Sequence, residues 1–388
     1  PQVAGGPSVA LLPPYSPLQV VSLDALQGAG PPLQQWLCRQ ASAPFDLERG
    51  PLLRATLGVL ADSEHLLVVT LHHIITDGWS MALLLRELSQ LYGACRAQRP
   101  SDLPPLPIAY SDYAAWQHHW LQGERLETQL RHWCQRLEGA PERLVLPTDY
   151  TRPAVMTGRG AYLERQLDEA LIDELQALAS AHGATLYMIL LAAFQLLLAH
   201  YSGQDDILVA NSVATRPLRE TEGLVGCFVN RLVMRTRLAN DRGDSFIELL
   251  EQVRHTTLEA LAHPDLPISS IQKRLNLPAN PSHNPFAQTR LVLHNAPPGH
   301  LGLPGVAASR ESIPYRIAKD DLALIAVEER VANPGDGGRG LRCRWDYACD
   351  LFAPRRVASM AEHYGQLLNA VVAHPHQSIW QLARRSVP

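Results

Sequence analysis

Cysteine is sparse in this chain. Its six residues, Cys38, Cys95, Cys134, Cys227, Cys343 and Cys349, form no CxxC pair and no regular framework, which argues against a disulfide scaffold or a zinc module built on paired thiols. No HExxH spacing adds histidine ligands for a metal. A reducing cytoplasm is the compartment that fits. Charge of one sign is lacking as well: 34 basic and 38 acidic residues are mixed along the chain, for a formal net charge of −4. Such a balance supplies no broad basic field of the kind nucleic acid requires. The N-terminus has no basic stretch followed by a compact apolar run. The one strongly apolar segment, Thr185 to Tyr201, is too short and too interrupted to span a bilayer. Neither a nucleic-acid nor a membrane partner is expected, and the chain reads as soluble. No fixed-period repeat is present.

What the chain does have is length and apolar content. With 388 residues, 46% of them hydrophobic, it exceeds a typical single core, and two lobes are expected. Glu64 to Ile75, rich in β-branched residues and leucine, reads as a buried strand. Thr76-Asp-Gly-Trp-Ser80 reads as a tight turn into a helix, with Ser80 as a plausible N-cap and Leu84, Leu88, Leu91 and Cys95 at helical spacing. A proline-rich stretch, residues 100–107, leads into an aromatic helical region from Tyr110 to Leu137. Leu144 to Pro153 has the proline and polar content of a linker, which places the lobe boundary between residues 147 and 148. Beyond it, Leu171, Leu175, Leu178 and His182 form a helical stripe, and Thr185 to Tyr201 should be a helix buried on all sides. Strands are expected at Ile207 to Ala214, Phe228 to Leu238 and Thr289 to Asn295. Helices are expected around Phe246 to Val253 and Val357 to Val371, and a loop or hairpin over residues 333–340. Both lobes are α/β.

The chemistry is concentrated at residues 72–80. Neighbours on a regular strand point to opposite faces, so one of His72 and His73 should face a cleft and the other pack; the pattern does not decide which. The same geometry makes adjacent histidines a poor metal chelate. An imidazole with an ordinary pKa of about 6.5 suits general-base work near neutral pH. The N-terminal amides of the following helix could stabilise developing negative charge, and Gly78 would let a ligand approach the backbone. The same residues also fit a structural strand end and a good turn.

Several segments carry a resemblance. His72-His-Ile-Ile-Thr-Asp-Gly78 resembles the HHxxxDG signature shared by nonribosomal peptide synthetase condensation domains and acyltransferases related to chloramphenicol acetyltransferase. Tyr110-Ser-Asp-Tyr-Ala-Ala-Trp116, Val225-Gly-Cys-Phe-Val-Asn230, His263-Pro-Asp-Leu-Pro267 and Asn284-Pro-Phe286 follow in the family's order, and Tyr201 to Ile207 is also similar to a family segment. The resemblance, from near residue 40 to the C-terminal helix, implies two chloramphenicol acetyltransferase-like α/β lobes in a V-shaped pseudo-dimer. These are residues 1–147 carrying the signature and 148–388 with crossover segments. It implies a tunnel that admits phosphopantetheine arms from a donor and an acceptor peptidyl carrier domain, an adjacent adenylation domain, and no intrinsic cofactor.

The resemblance makes His73 the catalytic residue. His72, Gly78, Asp77 and Arg216 support the motif, and Trp79, Ser80 and Asn230 are associated with the substrate channel. For Asn230 an amide fixing the crossover is the favoured role, and Tyr110, Asp112 and Trp116 read as packing and capping groups. Asp77 could orient the His73 ring as in a triad, or be buried and paired with a cation; the family favours the second, with Arg216 as partner.

The sequence also departs from the pattern. An arginine-containing helix motif and a histidine-glutamate segment are expected before the signature, and neither is present. The chain is therefore read as beginning inside the first lobe, through an omitted stretch or a truncated form. Arg231 stands where threonine is usual, Pro264 where glutamine is usual, and Ile268-Ser269 where phenylalanine and glutamate are preferred.

The implied activity is amide formation between a donor acyl thioester and the α-amine of an acceptor aminoacyl thioester, closest in look to the branch joining two L-configured residues. Epimerisation relatives share the signature but usually continue Ser-Trp-Arg, against Trp79-Ser-Met-Ala82 here. Heterocyclisation relatives replace the histidines. Ester formation stays open, as does a catalytically silent module that only docks carrier domains.

Overall fold

A computed structural model describes residues 2–3, 6–7, 13, 15–26, 28, 30–238, 243–294, 299, 301–311, 313, 316–330 and 339–386. The chain divides into two contact-dense units that interleave in sequence. One gathers Pro1–Tyr113, Arg216–Phe228 and Pro298–Tyr315; the other gathers Ala114–Thr215, Val229–Pro297 and Arg316–Pro388.

In the first unit a two-residue ladder joins β1 (Gln2–Val3) to β2 (Gly6–Pro7). Three further strands, β3 (Leu18–Ser22), β4 (Leu53–Ala61) and β5 (Glu64–Leu71), form one sheet in the order β3-β4-β5, with β3 parallel and β5 antiparallel to β4. Period-two alternation splits this sheet. Thr56, Gly58, Leu60 and Val68 are buried, whereas Leu18, Val20, Leu67 and Val69, on the opposite face, are exposed. A Cβ on Gly58 would overlap the Leu23 side chain, so glycine lets Leu23 pack directly on the strand. Helix α1 (Gly30–Ser42) packs against β5 and buries Leu37, and α2 (Gly78–Arg96) follows the strand.

The run from Glu64 to Ile75 is not one buried strand, contrary to expectation: the ladder stops at Leu71, and His73–Ile75 form a single 3-10 turn. A short apolar run cannot distinguish a strand covered on both faces from one covered on a single face.

The second unit contains α3 (Tyr110–Trp120) from Ala114 onward, then α4 (Gly123–Leu137), β6 (Gly160–Leu167), α5 (Glu169–Ala181), α6 (Leu186–Ser202), β7 (Asp206–Ala214), β8 (Val229–Arg237), α7 (Phe246–Ala262), α8 (Ile268–Arg274), β9 (Thr289–His294), β10 (Leu322–Arg330), β11 (Arg339–Ala348), α9 (Pro354–Ala373) and α10 (Ile379–Ser386). Among the described residues its sheet runs β6-β11-β10-β9-β7-β8, parallel at β10-β9 and β9-β7 and antiparallel elsewhere. The expected hairpin at 333–340 lies outside the described residues up to 338; residues 339 and 340 begin β11.

Helix α6 is apolar almost all round and is buried continuously from Met188 to Ala199, as its composition predicts. Thr185 caps its start, and Gly203, at φ 68°, ends it in the left-handed conformation. The one polar residue in that run, Gln195, donates to the Met234 carbonyl (3.0 Å) and accepts from Thr236 Oγ1 (2.9 Å). Its amide is therefore satisfied where burial would otherwise be costly. Among the described residues no single helix is long and apolar enough to cross a membrane.

Leu144 to Pro153 is not a free linker. Leu144 and Leu146 join the core. Arg152 pairs with Asp321 and donates to the Ser282 carbonyl (2.8 Å), and Asp149 pairs with Arg356 at 3.1 Å. Prolines and polar residues here serve a strap whose apolar side chains alternate inward. The expected lobe boundary at 147/148 falls within this strap, inside the second unit.

Candidate active site

The residues singled out around the signature are assembled by three pieces of the first unit: the turn between β5 and α2, the start of α3, and the excursion Arg216–Phe228 between β7 and β8. Asp77, extended at φ −136°, is the N-cap of α2, and its Oδ1 accepts from the Ser80 amide at 2.8 Å. Ser80 is therefore not the cap but the third helical residue. The Ser80 amide is already occupied by the Asp77 carboxylate, so it is not among the groups expected to stabilise an oxyanion.

His72 and His73 separate as expected, although by a turn and not by strand alternation. His72 Nδ1 accepts from the Ile74 amide at 3.1 Å, and its ring meets Phe45 edge-on at a centroid distance of 5.9 Å. His72 is thus partly packed, while His73 is exposed. The Nδ1 of His73 lies 3.7 Å from the Cys227 sulfur.

Asp77 and Arg216 meet. Their side chains are buried, and Arg216 Nη2 lies 3.2 Å from Asp77 Oδ1 and 3.4 Å from Oδ2. Asp77 Oδ2 also accepts from the Phe228 amide at 3.1 Å. Other guanidinium hydrogens go to Ser80 Oγ (2.9 Å) and to the carbonyls of Thr221 (2.6 Å) and Leu224 (2.9 Å), with the guanidinium carbon 3.8 Å over the Phe228 ring. Burial pulls the Arg216 pKa below its usual value, and Asp77 acts in the opposite sense. An arginine stays protonated through such shifts, so the pair remains ionic.

Ser80 is fully buried. Its hydroxyl donates to the Gly226 carbonyl (2.8 Å) and accepts from the Gly226 amide (3.1 Å). Its expected place on a channel wall is thus corrected: no surface is left to line one. Trp79 is 45% exposed, with its indole N–H fixed on the Glu222 carbonyl at 2.9 Å. Gly78 is open, and a Cβ there would meet nothing within 4 Å.

Asn230, in the second unit, donates to the carbonyls of Pro264 (2.6 Å) and Leu266 (3.0 Å) and accepts from the Arg231 amide (2.8 Å). Such an amide holds backbone. Asp112 accepts from the Ala109 amide at 2.8 Å, and Trp116 stacks on Trp120 with centroids 5.3 Å apart. Both accord with capping and packing.

Two contacts between these family-like segments were not readable from the sequence. Tyr110 donates its hydroxyl to the Cys227 carbonyl at 2.8 Å, and burial raises its pKa, so it stays a donor. Gly226 is needed because a Cβ would overlap the Tyr110 ring. Residues 117 positions apart cannot announce such a contact in a single sequence. Among the described residues no cluster of three or more His, Cys, Asp or Glu could hold a metal ion.

Comparison with known proteins extends this picture. A family model described as "Condensation domain" matches residues 17–384. One linear gramicidin synthase polypeptide of Brevibacillus parabrevis is 43% identical over 357 residues, covering 89% of this chain and 4% of that protein. The chain spans 4% to 7% of the length of the three gramicidin synthase polypeptides that it matches. The X-domain from teicoplanin biosynthesis has a TM-score of 0.85 at 30% identity, over 94% of this chain and 80% of that one; it is also solved in complex with OxyB. The first condensation domain of the calcium-dependent antibiotic synthetase, solved with a substrate analogue, shares the fold with a TM-score of 0.73 at 22% identity, over 94% and 80% of the two chains.

Proposed function

Since this chain belongs to the condensation-domain family of nonribosomal peptide synthetases, with its mixed α/β fold, we propose that it joins two carrier-bound groups through His73. A donor acyl or peptidyl thioester and an acceptor aminoacyl thioester are the substrates, each on a phosphopantetheine arm brought by a peptidyl carrier domain. The acceptor amine forms a C–N bond to the donor carbonyl, the C–S bond breaks, and the donor thiol leaves. The proton released from the amine passes to His73 or, with its help, to the departing thiolate.

The observation that carries this reading is the exposed His73 ring beside a turn made rigid by buried ionic and hydrogen-bonded groups. An imidazole held in place beside the reacting amine can accept its proton with little reorganisation. Holding the two arms end to end would supply much of the acceleration through proximity. An amine with an ordinary pKa of about 7.7–8.0 must also be bound neutral or deprotonated on the way. A neighbouring adenylation domain and a cytoplasmic location belong to the same proposal.

Single-turnover condensation between two loaded carrier domains tests it. His73→Ala should lose at least about a hundredfold in rate, the lower range of general acid–base catalysis, while keeping the fold. His72→Ala should lose stability instead, since its ring packs on Phe45 and caps the 3-10 turn. Unchanged turnover in His73→Ala would overturn the assignment. A second reading, a module that binds a partner without forming bonds, is favoured by the similarity to an X-domain solved with OxyB. Carrier binding with no dipeptide formed by the wild-type chain would select it.

A further inference from the structure

Backbone polar groups on both sides of Cys227 are held by side chains of the same unit. Ser80 Oγ engages both the amide and the carbonyl of Gly226, the Tyr110 hydroxyl donates to the Cys227 carbonyl, and Asp77 Oδ2 accepts from the Phe228 amide. Phe228 itself packs against the Arg216 guanidinium at 3.8 Å and the Tyr113 ring at 4.8 Å. The three-residue segment therefore has little freedom. The thiol of the half-buried Cys227 lies 3.7 Å from His73 Nδ1, within reach of a hydrogen bond to sulfur.

We infer that Cys227 is a positioning residue for His73, with the sulfur accepting the ring's Nδ1–H so that Nε2 keeps its lone pair. Which atom donates depends on the ring's tautomer; the imidazole N–H is the stronger of the two donors, and this assignment is the one that leaves Nε2 unprotonated. The unshared pair on Nε2 is what a general base requires, and the choice of tautomer is set by the bond the other nitrogen makes. The buried Asp77–Arg216 pair then acts one step removed: it fixes Phe228, hence the cysteine, hence the imidazole. His73 is exposed and sits on a single 3-10 turn, so a partner that restricts its ring is chemically significant. This inference rests on the condensation reading for its consequence, but not for its geometry.

The experiment is ¹⁵N NMR of the histidine rings in the whole chain, with His73 assigned through His73→Ala, combined with single-turnover condensation. In the wild-type protein above the ring's titration, Nδ1 should carry the proton and Nε2 should be bare. In Cys227→Ala the population should move toward the Nε2–H form, and the condensation rate should fall about tenfold, a share of the 10²–10⁴ that a general base contributes, without loss of carrier affinity. Methyl methanethiosulfonate should slow the wild-type reaction and leave the residual rate of Cys227→Ala untouched. A wild-type ring protonated on Nε2 would overturn the inference without any variant. So would a tautomer unchanged in a folded Cys227→Ala, with Cys227→Ser read if the alanine variant fails to fold. Expected tautomers in a chain that forms no amide would instead remove the condensation reading and leave the contact standing.

Discussion

The buried Asp77–Arg216 pair permits a quantitative test. Arg216→Ala removes the cation and leaves the Asp77 carboxylate with two amide donors, from Ser80 and Phe228, in a site with almost no accessible surface. It also takes the donor from the Leu224 carbonyl, while the Thr221 carbonyl keeps the Leu224 amide at 3.2 Å. Breaking a buried pair by deleting one partner costs about 3–5 kcal/mol, and the orphaned Leu224 carbonyl adds about 1–3 kcal/mol unless water reaches it. Trp79, 45% exposed beside Arg216, marks the side from which water can enter, which places the expected loss near the lower end, about 4 kcal/mol. Asp77→Ala loses the same pair together with the N-cap of α2, itself worth about 0.5–2 kcal/mol. The double variant should cost less than the sum by up to about 3 kcal/mol, because the second deletion removes a charge that the first left unpaired. Guanidinium unfolding of the three variants, followed by tryptophan fluorescence with Trp79→Phe as a control for the local transition, measures all terms. Single-variant losses below about 1 kcal/mol, or additivity within about 0.3–0.5 kcal/mol, would refute the structural reading. Normal stability with a large loss of rate would favour Asp77 as the orienting member of a triad.

Gly78→Leu should leave stability nearly unchanged, because a Cβ meets open space there, yet block one phosphopantetheine arm; condensation at the wild-type rate would move the tunnel elsewhere. Gly226→Ala should displace the Tyr110 ring and lower stability by about 1–3 kcal/mol, read by chemical denaturation, and a neutral effect would show that the ring has room to yield. Burial holds His132, His200, His283, His294 and His363 below the usual histidine pKa. Such groups bind fewer protons folded than unfolded. Their stabilisation is complete above about pH 6.5 and is lost as the pH falls through the unfolded value toward the lower folded ones. The thermal midpoint should therefore drop between about pH 7.5 and 5.5, with His294→Gln flattening the slope; a flat wild-type profile would contradict this.

Elements whose signals are local were legible in the chain alone. The all-apolar run of α6, the stripe of α5 and the strands at 206–214 and 229–237 could be read, because period and capping act within a few residues. The signature and its accompanying segments identified the family, and the Asp77–Arg216 partnership was anticipated through that resemblance. Other features depended on long-range packing. Whether Glu64 to Leu71 is covered on one face or two depends on what packs against the sheet, and Leu144 to Pro153 became a strap because its leucines found a core that composition does not reveal. Whether Ser80 or Asp77 caps α2 turned on the local backbone path. That a thiol at position 227 faces an imidazole at 73 depends on bringing together chain segments 154 residues apart, which is set by the packing of the whole unit and leaves no periodic trace in the sequence.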